Sequence, residues 1–182
     1  MTSSERAQAT IAFLRRLRAV RQFRPEPVPQ HVVDDILEVA RWSGSAKNRQ
    51  PWELVLIRRP DTLRALAALD GSVGHLAGAA LGVVLVMNGT PGHEERETFD
   101  DGRLSERIML AAAAHGVGSS IGWFSAAGRG AAKALLRVPP QRVVRTAISL
   151  GYPDPAARSG PRPSPARKPL AEILHHEAYS AT

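Results

Sequence analysis

The polar residues that cluster in this sequence are of kinds that bind and polarise. Between Trp42 and Trp52 the chain reads Ser43-Gly44-Ser45-Ala46-Lys47-Asn48-Arg49-Gln50-Pro51. Its hydroxyl, amide and guanidinium groups supply many hydrogen-bond donors, and they rarely exchange protons near neutral pH. A second polar group, Arg18 with Arg21, follows the first apolar helix pattern. A planar guanidinium with five donors suits a phosphate or a carbonyl edge. The chain has no cysteine, which excludes a thiol nucleophile, a zinc–thiolate site and a disulfide. No Ser-His-Asp constellation is supported by spacing. His75 and His93 stand alone, without a second ligand at metal-binding spacing, and read as surface residues.

The elements that must position these residues are legible on both sides. Gln30 to Trp42 has Val32, Val33, Ile36, Leu37, Val39 and Ala40 at helical spacing, with Asp34, Asp35 and Glu38 opposite. Gly44 is placed to end that helix in a left-handed conformation. Pro51 lacks an N–H and pushes Gln50 towards an extended one. Trp52 to Ile57 is a strand. A rigid, donor-rich connection between two buried elements is where folds place binding sites. An ordinary loop with capping Ser and Asn is the other reading of the same residues.

Elsewhere, Ser4 to Leu17 reads as a helix, and so does Pro60 to Leu69. Ala79 to Asn88 is a near-continuous apolar run with the β-branching of a central strand. Gly89 to Thr98 is polar and reads as a loop. Asp100-Asp101 open a helix to about His115, with four alanines at Ala111 to Ala114. Gly116 to Trp123 leads through a short strand into a turn. A helix at Ala126 to Arg137 and a strand at Val143 to Leu150 follow. From Pro153 to Pro169 the chain is an extended proline-rich arm, and Leu170 to Tyr179 a short helix. The predicted class is α+β: a three-layer α/β/α sandwich around a mixed four-stranded sheet. Residues 1–152 form the core, and 153–182 form the arm of the same domain.

Hydrophobic residues make up 43% and charged residues 23% of 182, with a mean hydropathy of −0.18, an ordinary globular composition. No apolar run approaches a bilayer span and no signal core opens the chain, so the expected location is cytoplasmic and away from membranes. The net charge is +7, with six arginines in the first 24 residues. Aromatics are only 5%, and no nucleic-acid-binding signature is present. A positive surface draws in nucleic acid or small anions such as phosphates, and the charge balance alone does not decide between them.

Ser45-Ala46-Lys47-Asn48-Arg49-Gln50-Pro51-Trp52 resembles the Ser-Ser-x-Asn-x-Gln-Pro-Trp segment of the flavin-dependent nitroreductase family. Arg18-Ala19-Val20-Arg21-Gln22-Phe23 with Pro27-Val28 resembles that family's Arg-Ser-x-Arg-x-Phe…Pro-Val opening. Softer likenesses are Asp101 to Gly122, to the long central helix and its Gly-rich turn, and Gly151-Tyr152-Pro153 with Arg167-Lys168-Pro169-Leu170. The resemblance implies an interlocked homodimer, with a fifth strand or arm lent by the partner. It also implies an FMN cofactor and NAD(P)H as co-substrate.

On the matching positions, the resemblance implies FMN contacts from Arg18, Ala19, Arg21, Ser45, Ala46, Asn48, Gln50, Gly122, Trp123 and Arg167. Arg18 and Arg167 would hold the phosphate, Arg21 would face the pyrimidine edge, and a backbone N–H of Gly122 or Trp123 would face flavin N5. Leu17 and Ala19 stand where the family has a phosphate-binding Arg and Ser, and Pro165 where it often has Lys. Arg15, Arg18 or Arg162 would then make up the phosphate contacts. The implied activity is hydride transfer from NAD(P)H to a flat, electron-poor acceptor of quinone or nitroaromatic type by a ping-pong mechanism, with no catalytic side chain. A non-enzymatic flavin or nucleotide binder, and a relative using another donor such as a deazaflavin, are the alternatives.

Overall fold

The computed structural model describes residues 1–157 and 167–179. At its centre lies β2 (Leu81–Met87), whose seven residues are all buried. Fully burying one such aliphatic side chain is worth about 1.5–3 kcal/mol. On either side of β2 lie β1 (Trp52–Ile57) and β4 (Val143–Gly151), and β3 (Gly118–Trp123) closes the sheet beyond β4, giving the order β1-β2-β4-β3.

The expected mixed sheet does not form. All three neighbouring pairs are antiparallel. After Ile57 the chain runs through α3 (Pro60–Ala67), which packs on a 3₁₀ turn at Gly74–Gly78. This connection folds back on itself, so β2 enters opposite Ile57, at the end that β1 left. The long α4 (Glu94–Ala114) then carries the chain from β2 to β3. These two strands are parallel to each other, but β4 occupies the place between them.

Side chains alternate across the sheet and bury two cores. Val83 and Leu85 of β2 pack with α2 (Gln30–Arg41) and α4 on one face. Val84 and Val86 pack with α3, the 3₁₀ turn and α5 (Ala126–Leu136) on the other, which gives the three layers expected. The register shifts between Val84 and Val86, so that Arg145 and Thr146 of β4 together oppose Leu85. This bulge explains why Val144 faces the α5 side while Ile148 and Leu150 face α2 and α4.

Helix ends follow local chemistry. The first helix, α1 (Ser3–Arg16), opens on a capping box of Thr2 and Glu5. α3 has Pro60 at its start. The Ser125 hydroxyl accepts the Gly128 N–H at the start of α5. α4 begins six residues before the expected Asp100. Glu97, read from its polarity as loop, is 6% exposed and accepts the Gly89 and Thr90 N–H groups at 2.7 and 3.0 Å. At the C-terminus the expected helix is only a 3₁₀ turn, Leu170–Glu172. Among the described residues no helix is long and apolar enough to cross a membrane.

Candidate functional site

The loop after α2 takes its shape from its own polar groups. The helix ends at Trp42 with φ −81°, and Gly44 does not adopt the left-handed conformation expected of it. That conformation falls instead on Lys47, Asn48 and Gln50, with φ of 55°, 51° and 48°. Pro51 therefore does not hold Gln50 extended. Ser45 Oγ accepts the Gln50 N–H at 2.8 Å, and Gln50 Nε2 lies 3.2 Å from Asn48 Oδ1. These bonds compensate a backbone that costs on the order of 1–3 kcal/mol per strained residue. Such strain concentrates where a chain is shaped for a ligand.

Ser45 and Ala46 line a cleft of about 430 Å³ whose other wall is the N-terminal half of α4: Glu95, Arg96, Phe99, Asp100 and Arg103. The Arg103 guanidinium lies against Gly44, where a Cβ would come within 3.0 Å of it. Asp100 is 5% exposed, and burial pushes its carboxyl above the usual range although Arg103 pulls it down.

A second cleft, of about 540 Å³, gathers Arg18, Ala19 and Arg167. Arg16, Glu106, Met109, Gly118, Ser119 and Ile121 also line it. The chain after α1 is brought there by an edge bond, Val20 N–H to the Ser119 carbonyl at 2.8 Å. Gly118 permits this approach, because a Cβ there would lie 2.8 Å from the Val20 side chain. Arg18 Nη1 donates to the carbonyls of Arg15 and Leu17, which holds one end of its guanidinium at the helix exit. Of the alternatives for the missing phosphate donors, Arg162 and the Pro165 position lie outside the described residues. Arg16, which sequence reasoning passed over, lines the cleft beside Arg18 and Arg167.

Gly122 and Trp123 sit near the end of β3, whose outer edge is covered by Ser72. Trp123 N–H donates to Ser72 Oγ at 2.9 Å, and the Ser72 N–H donates to the Trp123 carbonyl at 2.8 Å. Phe124 N–H donates to the Arg145 carbonyl, so by two-residue alternation the Gly122 N–H turns into the sheet. Ile121, just before Gly122, turns its N–H outward and lines the cleft.

His75, expected at the surface, is half-buried. Its Nδ1 stands 2.7 Å from Ser149 Oγ, and its Nε2 is buried without a well-formed hydrogen bond. Burial and the positive charge of Arg21 hold it below the usual histidine range, although the Ser72 and Ile121 carbonyls oppose this. Arg21 thus stands within electrostatic reach of a histidine beside β3. The signal available in sequence was His75's place between Val73 and Leu76, both fully buried. His93 and the other histidines gather into no metal site: among the described residues no group of three or more His, Cys, Asp and Glu could hold one.

In one chain five of the ten candidate residues line clefts, and those clefts are separate, whereas Arg21, Asn48, Gln50, Gly122 and Trp123 line neither. Ser45 and Ala46 line one, Arg18, Ala19 and Arg167 the other.

Residues 14–88 match the Nitroreductase family. A protein of Thermus thermophilus named NADH dehydrogenase is 40% identical over 77 residues, covering 42% of this chain and 37% of that relative. The alignment thus spans little more than a third of that relative's length. Among solved structures, an FMN-dependent nitroreductase from Clostridium difficile superposes with a TM-score of 0.77 at 22% identity, covering 93% of this chain and 99% of that one. An NADPH:FMN oxidoreductase from Vibrio harveyi, solved with NAD⁺, superposes with a TM-score of 0.78 at 20% identity, covering 95% and 79%. The match to the Nitroreductase family is thus confined to residues 14–88, and over nearly its whole length the chain shares the fold of these two solved structures.

Proposed function

We propose that the protein is an FMN-dependent oxidoreductase that takes a hydride from NAD(P)H and passes it to a flat, electron-poor acceptor of quinone or nitroaromatic type. The observation that carries this reading is the second cleft, where Arg16, Arg18 and Arg167 stand beside the glycine-containing edge of β3. The residues present fit FMN in kind: three guanidinium groups suit a phosphate, and the backbone at Gly118 admits close approach. When bound, FMN supplies the hydride chemistry.

The chain's own residues bind, orient and polarise. Arg18 and Arg167, with Arg16, hold the phosphate. Arg21 faces the pyrimidine edge and stabilises negative charge there. Ile121 N–H is an outward backbone donor on a residue that lines the cleft; the Trp123 N–H is already donated to Ser72. Ser45, Ala46, Asn48 and Gln50 reach the same ligand from a second subunit. Support for a homodimer comes from the two half-sites, which one chain keeps apart, and from unspent apolar surface. α1 buries none of its residues, and Ile11, Leu14, Leu170, Ile173 and Leu174 are exposed. Donor and acceptor take turns at one exposed ring face, which gives ping-pong kinetics.

The test is the absorbance spectrum of the purified protein, followed by anaerobic titration with NADPH and NADH. Flavin bands that either donor bleaches and a quinone restores are expected. A protein that takes up no flavin when FMN is added overturns the reading. Bands that neither donor bleaches reduce it to a flavin binder.

A further inference from the structure

The cleft between Ser45–Ala46 and α4 has a composition that a flavin alone does not use. Arg96, Phe99, Asp100 and Arg103 follow at i, i+3, i+4 and i+7, so they form one stripe along the helix facing the loop. Arg96 and Arg103 start about 10 Å apart along the axis, with the phenyl ring between them. Phe99 is 66% exposed, unusual for so large an apolar side chain beside a cleft. The Arg103 guanidinium lies 5.6 Å over its ring. Among the described residues neither Arg96 nor Arg103 has an ion pair or hydrogen bond.

We propose that this cleft is a nucleotide subsite that takes an adenosine carrying a 2′-phosphate, the distal half of a phosphorylated nicotinamide dinucleotide. This rests on the reading of the protein as an NAD(P)H-dependent enzyme and deepens it. The base stacks on the free face of Phe99, opposite the face that Arg103 covers. Arg96 and Arg103 flank the ring, so phosphate oxygens on either side of the adenosine meet a guanidinium. The two acids of the cleft decide between ligand classes. Glu95, exposed at the rim, would repel a purely anionic aromatic ligand, but it accepts a hydrogen bond from an adenine amine. Asp100 is buried beneath, within electrostatic reach of Arg103. A ligand with amine donors at one end and phosphates at the other satisfies both signs of charge. NADPH is therefore the preferred donor over NADH.

The test titrates the purified holoenzyme with adenosine 2′,5′-bisphosphate and, separately, with adenosine 5′-monophosphate, by calorimetry. The bisphosphate is expected to bind about tenfold tighter or more. Arg96→Gln/Arg103→Gln should abolish that difference, and Phe99→Ala should weaken both probes. The flavin absorbance of each sample reads the flavin site independently, so loss of flavin is seen separately from loss of nucleotide. Equal affinity for the two probes, or a preference unchanged in the double variant, overturns the subsite. A lack of flavin with intact nucleotide preference overturns the oxidoreductase reading and leaves the subsite standing.

Discussion

His75 Nδ1 and Ser149 Oγ face each other at 2.7 Å across the join between the 3₁₀ turn at Gly74–Gly78 and β4. The pair fastens the segment that covers the end of β3 to the interior of the sheet. Burial and Arg21 keep the imidazole neutral in the fold, so the unfolded chain binds the proton more readily. Stability therefore falls as pH drops through the unfolded value of about 6.5. His75→Asn should lower stability at pH 8 and flatten the slope between about pH 7 and 5. Chemical denaturation at several pH values measures this. An undiminished slope in the variant would assign the pH dependence elsewhere. Turnover, normalised to bound flavin, should stay within about tenfold, because no side-chain acid is required.

Removing the cationic end of the second cleft should release the phosphate. Arg18→Ala with Arg167→Ala is expected to weaken FMN binding more than tenfold, and Arg16→Gln to add to the loss. Riboflavin, which lacks the phosphate, serves as the control. Its affinity should change little, and fluorescence quenching reads both ligands. Equal losses for FMN and riboflavin would place these arginines against another part of the ligand.

Gly122 is hemmed in by the segment that covers β3. A Cβ there would lie 2.4 Å from the Ser72 carbonyl oxygen and 2.6 Å from His75 Nε2. Gly122→Ala should therefore destabilise the protein by about 1–3 kcal/mol through overpacking. Hydrogen exchange should show faster exchange at Trp123, whose N–H depends on Ser72. A variant as stable as the parent would mean that the cover is loose.

Asp101 is 5% exposed on α4, against Thr146, and its Oδ2 lacks a well-formed hydrogen bond. Burial pushes its carboxyl up, outweighing Thr146, Arg145 and Ser105, which pull it down. The folded state thus holds the proton more tightly than the unfolded chain does, and stability falls as pH rises through that window. Asp101→Asn should raise the melting temperature at pH 7, with a gain that shrinks towards pH 4. Calorimetry at the two pH values checks the sign.

The homodimer predicts a sedimentation mass of two chains at micromolar concentration, with flavin bound. A flavin-loaded monomer would show that one chain completes the site alone.

Much of this was legible in the sequence because local rules and tertiary needs agree. The strand Trp52–Ile57 and the helix Gln30–Arg41 lie where alternation and periodicity put them. The Ser45–Trp52 segment stood out through its polar residue types, and Ser45 and Ala46 of it line a cleft. What sequence could not show was set by contacts between distant segments. Glu97 looked like loop because its carboxylate serves backbone groups seven and eight residues away. His75 looked solvated because its partner is 74 residues further on. The sheet looked mixed because β2 and β3 do run parallel, and only the late β4 separates them. Gly44 looked like the left-handed residue, but the Ser45–Gln50 bond moves that conformation onto non-glycine residues.

The extra residue in β4 acts as a switch of parity along the strand. Upstream of Arg145–Thr146, even-numbered positions belong to the α5 layer, and downstream they belong to the α2–α4 layer. Deleting one residue there would restore unbroken alternation and leave Val144 opposite Val86 on the α5 side, while removing the bend that the bulge gives the strand. It would also part Arg145 from Trp123, which it covers at 5.7 Å. The extra residue therefore serves to bend the strand and to place Arg145 over Trp123, since both layers would keep their facing without it.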